Sequence, residues 1–408
     1  MNKKIILLLI FLFGLFIIVR ANPVKHTLQF GGYEREYLLY VPSHTEKPRG
    51  IIVCLHGFNG SMNVFFNSYD ISGVADQANY ILLAPQALPE QSSDVINWGK
   101  LLGDLGFDIR LEAAWGCGTQ VSTSLLGQDV KIELNKNIDD IGFIRELIRL
   151  TSETNDLQTE DVFVLGTSLG GYMAYQLALA FGNELNGIIS IAGSMGLAIK
   201  NQDNQVKVPV CDFQSLTDEV VPYDGKSKIE EGFFSFTVQL AWAKTDVLDF
   251  WVKKNGITSS PVTEIVDYYP SGNGITAEKI TYSDVENEVI HYRTNGAPHS
   301  YFFKKENGDC MDMREEVAKF IQAHASLDPN SIMPPSTEGR AFYPNPVQNR
   351  VYFTSDEGCF SLFALDGKLL LSDSFTSAGY DFSGLRKGMY IIRIQTGNQV
   401  QTAKLIKQ

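Results

Sequence analysis

The chain has 408 residues, 44% of them hydrophobic and 20% charged, the balance of a soluble globular protein. Its net charge of −13 and pI near 5.0 argue against nucleic acid as a partner, which basic patches bind by releasing counterions. No Walker loop and no Cys/His cluster at metal-ligand spacing occurs, so no cofactor is expected; at about 150 residues per domain, the length allows two or three domains.

Residues 1–21 read as a signal peptide. Lys3-Lys4 precede an apolar run from Ile5 to Val19, and Val19-Arg20-Ala21 offers a cleavage-type ending. The run is fifteen residues long, short of the roughly 20 that a membrane span needs, so cleavage after Ala21 is expected over an uncleaved anchor. Five cysteines are compatible with an oxidising compartment. Cys54 and Cys211 fall in apolar strand runs and read as core, Cys117 and Cys310 lie in loops and are a candidate pair, and Cys359 belongs to a later domain.

Residues 22–325 alternate strand and helix patterns, the signature of a mostly parallel, doubly wound α/β sheet. Ile51-Ile52-Val53-Cys54-Leu55 is a buried-strand run, with the loop His56-Gly57-Phe58-Asn59-Gly60-Ser61 after it. From Ala87 to Asn137 periodicity is weak, which reads as a loop-rich insertion shaping a substrate pocket. Its Trp98 and Trp115 are candidate substrate contacts, weighed against the commoner role of packing. Asp139 or Asp140 then caps a helix that places Ile141, Ile144, Leu147 and Ile148 on one face. Trp242 and Trp251 fit a later helix with Leu240, Val247, Leu248 and Phe250, and read as packing.

The most informative stretch is Gly166-Thr167-Ser168-Leu169-Gly170, between the apolar run Val162–Leu165 and a helix-like segment from Tyr172. G-x-S-x-G between strand and helix is a nucleophile elbow: the serine stands at the tip of a strained turn, and small residues two positions away let strand and helix pass closely. The backbone N–H of Leu169, at the helix start, is placed to donate to a developing oxyanion, and the loop after Leu55 offers a second donor, the N–H of Phe58. His56 itself reads as a shaper of that loop.

An acid and a base should follow the serine in that order. Asp218 lies in the loop beyond the strand Val206–Gln214, with Asp212 inside the strand and Asp224 beyond Pro222 as rivals. His299 follows the strand Glu288–Arg293 on the loop Thr294-Asn295-Gly296-Ala297-Pro298. His26 and His44 precede the sheet core, His56 precedes the serine, His291 is inside a strand and His324 ends a helix. Ser168, Asp218 and His299 therefore form the expected catalytic triad.

Residues 326–340 are rich in proline and serine and read as a linker. Residues 341–408 change character: short alternating segments separated by turns suggest a small all-β sandwich. With seven Lys+Arg against five Asp+Glu this tail is +2, leaving −15 for the rest.

Seven pieces, in order, carry a family resemblance: Tyr37-Leu38-Leu39-Tyr40-Val41-Pro42, Leu55-His56-Gly57-Phe58, Asn97-Trp98-Gly99, Asp139-Asp140-Ile141-Gly142-Phe143-Ile144, Gly166–Gly171, Thr217–Tyr223 and Gly296–Ser300. The stretch from about Tyr37 to Ala323 resembles secreted α/β-hydrolase esterases, a family that includes feruloyl and acetyl-xylan esterases and poly(3-hydroxybutyrate) depolymerases. The resemblance implies a serine esterase with no cofactor and Ser168, Asp218 and His299 as its triad. Two departures bear on substrate class. Gln214-Ser215-Leu216-Thr217 stands where such enzymes often carry His-Gly-Thr before the acid, and the histidine loop has Ala297-Pro298 in place of a second glycine.

The tail resembles the C-terminal sorting domain of type IX secretion cargo, through Tyr343-Pro344-Asn345-Pro346, Leu365-Asp366-Gly367-Lys368, Leu385–Tyr390 and Ala403–Gln408. That implies the secretion machinery as a partner and an extracellular or outer-surface location. Feruloyl or acetyl esters of plant polysaccharide are the expected substrates. A polyester depolymerase, a serine peptidase, or an inactive binding protein on the same scaffold are the alternatives.

Overall fold

The computed structural model describes residues 22–326 apart from 44–46, 94, 98–99, 101–110, 126–127, 200–206, 232–233 and 285–286, and residues 342–407 apart from 356, 366–367, 377 and 397–398. The signal segment, Trp98 and most of the linker lie outside the described residues. The chain divides into two units, Met1–Ser326 and Leu327–Gln408.

Ten of the first unit's strands form one sheet. They are β1 (Val24–Phe30), β2 (Tyr33–Tyr40), β3 (Gly50–Leu55), β4 (Tyr80–Pro85), β7 (Asp161–Thr167), β8 (Gly187–Ile191), β9 (Val210–Ser215), β12 (Val262–Val266), β13 (Thr276–Ser283) and β14 (Glu288–Asn295), in the order β1-β2-β4-β3-β7-β8-β9-β14-β13-β12. The run from β4 to β14 is parallel, and the two strands at either end are antiparallel additions. Strands β3, β4, β7, β8 and β9 are buried at every residue, as their continuous apolar runs require of parallel strands covered on both faces.

Alternate residues of each strand feed two cores. Ile51, Val53 and Leu55 join helices Asp140–Asn155, Leu169–Phe181 and Lys244–Lys254 on one face. Ile52 and Cys54 join helices Ser72–Ala78 and Met313–His324 on the other. Burial of one such aliphatic side chain contributes about 1.5–3 kcal/mol, so the two faces together carry the fold. The cap of helix Asp140–Asn155 is Asp139, whose side chain accepts from the Gly142 N–H at 2.8 Å. This is the α/β-hydrolase architecture.

Cys54 and Cys211 are core residues, as expected. The suggested Cys117–Cys310 pairing is not found: both are free thiols, buried in cores on opposite faces of the sheet. A second correction concerns the insertion. It contains the hairpin β5 (Gln120–Leu125) and β6 (Gln128–Glu133), which joins β10 (Lys226–Glu231) and β11 (Phe234–Gln239) in a four-stranded antiparallel sheet, with Gln239 of β11 opposite Ser122 of β5. Trp242 and Leu240 precede the helix Lys244–Lys254 rather than lying in it, whereas Trp251 is within it and fully buried.

The first unit ends on a tied residue. Ser326 donates its N–H to the Asp161 carboxylate at 3.1 Å and accepts from the Arg49 guanidinium at 2.7 Å. The second unit is all β. One sheet orders β15 (Phe342–Tyr343), β16 (Arg350–Phe353) and β19 (Tyr380–Asp381); the other orders β18 (Leu369–Thr376), β17 (Glu357–Phe363), β20 (Gly388–Thr396) and β21 (Gln399–Lys407). Phe342, Val351, Phe353, Phe360, Leu362, Ile392 and Ile394 from both sheets share its core.

Candidate active site

Strand β7 runs directly into Ser168, and helix Leu169–Phe181 begins at the next residue. Ser168 has φ 52° and ψ −122°, a conformation that costs of order 1–3 kcal/mol and needs surrounding structure to hold it. The flanking glycines explain how the chain turns so tightly. A β-carbon on Gly166 would stand 2.0 Å from the Gly170 carbonyl oxygen, and one on Gly170 would stand 1.9 Å from that of Leu55. The Ser168 N–H is fixed to the Ile191 carbonyl on β8 at 2.7 Å.

The acid and base loops leave the carboxyl ends of β9 and β14, which are parallel neighbours with Ser215 opposite Thr294. Thr217 stitches the loops together: its hydroxyl accepts from the Gly296 N–H at 3.0 Å and donates to the Ala297 carbonyl at 3.2 Å. Asp218 is buried. Its Oδ1 accepts from the N–H groups of Val220 and Val221, both at 2.9 Å, and its Oδ2 from the Gln214 amide at 3.1 Å. Gln214, the departure noted in the sequence, is thus a neutral donor to the carboxylate, and it also ties the loop through the Val221 carbonyl at 2.8 Å.

His299 stands between acid and serine. Its Nδ1 lies 2.8 and 3.0 Å from the two Asp218 oxygens, and its Nε2 lies 2.9 Å from Ser168 Oγ. With Nδ1–H donated to the carboxylate, the Nε2 lone pair faces the serine hydroxyl, an arrangement able to remove that proton during nucleophilic attack. The rivals sit elsewhere. Asp224 accepts from the Lys226 N–H in a turn, and Asp212 and His291 are bonded to each other inside the sheet.

The loop after β3 covers the other side of the serine. A β-carbon on Gly57 would lie 3.1 Å from Ser168 Cβ, so the backbone carrying Phe58 passes against Ser168. Leu169 is the first residue of the helix, where N–H groups have no intrahelical partner. His56 is fully buried; it donates Nδ1–H to the Gly57 carbonyl at 2.8 Å and accepts the Ala87 N–H at Nε2, 3.1 Å away. Burial drives its pKa down to about 4 against the weaker upward pull of the Gly57 carbonyl, so it is neutral and structural at pH 7.

Trp115 supports the same loop. It is fully buried and donates its indole N–H to the His56 carbonyl at 2.8 Å. A ring without exposed surface offers no stacking face, so the substrate contact expected of Trp115 gives way to a supporting role beneath the loop after β3. Gln214, a partner of the Asp218 carboxylate, is marked in the sequence only by its position as a polar residue near the end of an apolar strand, and Thr217, which ties the two loops, only as a polar residue just beyond it.

Residues 38–240 match the family model described as phospholipase/carboxylesterase, a span that contains Ser168 and Asp218 and ends before His299. Residues 341–408 match the secretion system C-terminal sorting domain. Among solved structures, an acetyl xylan esterase from Aspergillus awamori is similar at 13% identity and TM-score 0.46, over 73% of this chain and 99% of that one. An S-formylglutathione hydrolase from Agrobacterium tumefaciens is similar at 12% and 0.43, over 74% and 95%. A dienelactone hydrolase from Anabaena variabilis is similar at 12% and 0.39, over 75% and 99%. No curated protein sequence matches.

Proposed function

We propose that this chain, a phospholipase/carboxylesterase domain joined to a type IX secretion sorting domain, is an exported serine esterase that works through an acyl-enzyme on Ser168. The observation that carries the reading is the single His299 ring within 2.9 Å of Ser168 Oγ and 2.8 Å of Asp218. His299 takes the serine proton as Oγ attacks the ester carbonyl, then returns it to the departing alcohol; water activated by the same imidazole hydrolyses the acyl-enzyme. Asp218 holds the tautomer and stabilises the imidazolium. The N–H groups of Phe58 and Leu169 receive the oxyanion, each worth about 10²–10³ in turnover.

Export places the enzyme where polymers too large to enter a cell are found, which favours feruloyl or acetyl esters of plant polysaccharide. Residues 1–21 are the proposed signal for the inner-membrane step. The test is hydrolysis of methyl ferulate, an acetylated xylan and a short hydroxybutyrate oligomer by the wild type and Ser168→Ala. Selective turnover of the first or second, lost in the variant, supports the polysaccharide reading. Selective turnover of the third makes the enzyme a polyester depolymerase. No serine-dependent turnover on any of them overturns the esterase reading in favour of a surface binding protein.

A further inference from the structure

Beneath the triad lies a second set of polar side chains, each on an element that adjoins a triad residue. Tyr175 is seven residues into the helix after Ser168, two turns along and about 10 Å deeper. Asp212 is on β9, which leads to Asp218, and His291 is on β14, which leads to His299; the two are register partners. All three are completely buried. Asp212 Oδ1 accepts from the Tyr175 hydroxyl at 2.8 Å and from Lys244 Nζ at 2.6 Å, and its Oδ2 accepts His291 Nδ1–H at 2.8 Å. Lys244 Nζ also donates to the Gly193 carbonyl at 2.7 Å.

The set reaches back to the acid loop at Tyr223. The Tyr223 hydroxyl donates to His291 Nε2 at 3.0 Å, and the Tyr223 carbonyl accepts the Lys244 backbone N–H at 2.8 Å. The protonation states agree with this geometry. Burial raises the Asp212 pKa, yet the Lys244 ammonium and the His291 bond bring it down to about 2. Burial lowers that of His291 against the upward pull of Asp212, leaving its Nε2 free to accept.

A buried ion pair contributes little net stability, and well-packed apolar residues often serve as well. Its value here lies in direction. Asp218 is four residues after Gln214 and five before Tyr223, so a loop pinned at the strand end and again at Tyr223 has little freedom to turn its carboxylate away from His299. We infer that Tyr223 and His291, held by Asp212 and Lys244, are positioning residues that fix the acid loop and so the aim of Asp218 at His299. This rests on the triad reading above.

The experiment compares wild type, Tyr223→Phe, His291→Gln and Ser168→Ala as full chains on p-nitrophenyl acetate, with kcat and KM measured separately and the folded fraction determined by circular dichroism. The expected result is a five- to twentyfold fall in kcat for folded Tyr223→Phe, KM within twofold, a similar or larger fall for His291→Gln, and no turnover in Ser168→Ala. Wild-type kcat in folded Tyr223→Phe, beside an inactive Ser168→Ala, overturns the positioning role and leaves the triad reading standing. A kcat loss in both positioning variants that vanishes once rates are divided by folded fraction also overturns it, because the cluster is then only structural. Full turnover in Ser168→Ala removes the triad reading and this inference with it.

Discussion

The carbonyl oxygen of Leu55 lies 1.9 Å from the point where a β-carbon on Gly170 would stand. Strand β3 and the start of the nucleophile helix are therefore in backbone contact, and the loop that follows Leu55 is carried against Ser168 by that contact. Gly170→Ala forces the two apart. Overpacking of this kind costs about 1–3 kcal/mol or more, a melting temperature lower by several degrees, and the displaced elbow should lose most of its esterase turnover. Calorimetry with an activity assay checks both; an unshifted Tm would mean that the approach is looser than described.

Asp218→Asn keeps the shape of the acid while turning one oxygen into a donor, which competes with His299 Nδ1–H and favours the wrong tautomer. A fall in kcat of about 10³–10⁴ at nearly constant KM is expected, measurable by steady-state kinetics at neutral pH. A loss below tenfold would remove Asp218 from the relay.

Trp115→Phe separates two uses of that residue. As a buried donor to the His56 carbonyl, the indole should matter to turnover: an unpaired buried carbonyl costs about 1–3 kcal/mol, and a loosened oxyanion loop should lower kcat roughly tenfold with KM little changed. A stacking platform for substrate would instead raise KM and spare kcat.

His56 ties stability to pH. Its folded-state pKa of about 4 lies below the ordinary value of 6.5. Between those values the unfolded chain binds more protons, so stability falls as pH drops through the window, by up to about 3 kcal/mol, and His56 contributes no pH dependence above 6.5. His291, lowered by burial, acts in the same direction. Denaturant unfolding at pH 7, 5.5 and 4.5 should show the decline, and His56→Gln should flatten it relative to its own pH 7 stability. Equal slopes would place His56 in contact with water.

What could be read from the sequence was what is encoded locally. The apolar runs of β3, β7, β8 and β9 specify buried parallel strands by themselves, and Gly166 and Gly170 mark the elbow because no other residue fits there. Ser168, Asp218 and His299, which the fold brings within hydrogen-bond reach of one another, stand out in the sequence by their order and by their places just beyond strand ends. The small sheet leaves no periodic trace because the hairpin of β5 and β6 meets β11 through β5 alone, at Ser122 opposite Gln239, more than a hundred residues later. Cys117 and Cys310 looked alike as loop cysteines, yet the sheet separates them. Asp212 carries a local signal of its own, since a carboxylate inside Val-Pro-Val-Cys-Asp-Phe demands a buried cation, and Lys244 supplies it.

Covalent capture tests the serine most directly. A fluorophosphonate incubated with the purified protein, followed by peptide mass spectrometry, should add its phosphonyl mass at Ser168, at a rate cut at least a hundredfold by His299→Ala and to nothing by Ser168→Ala. Labelling absent from the folded wild type, or lodged on another residue, would contradict the triad and the esterase mechanism built on it.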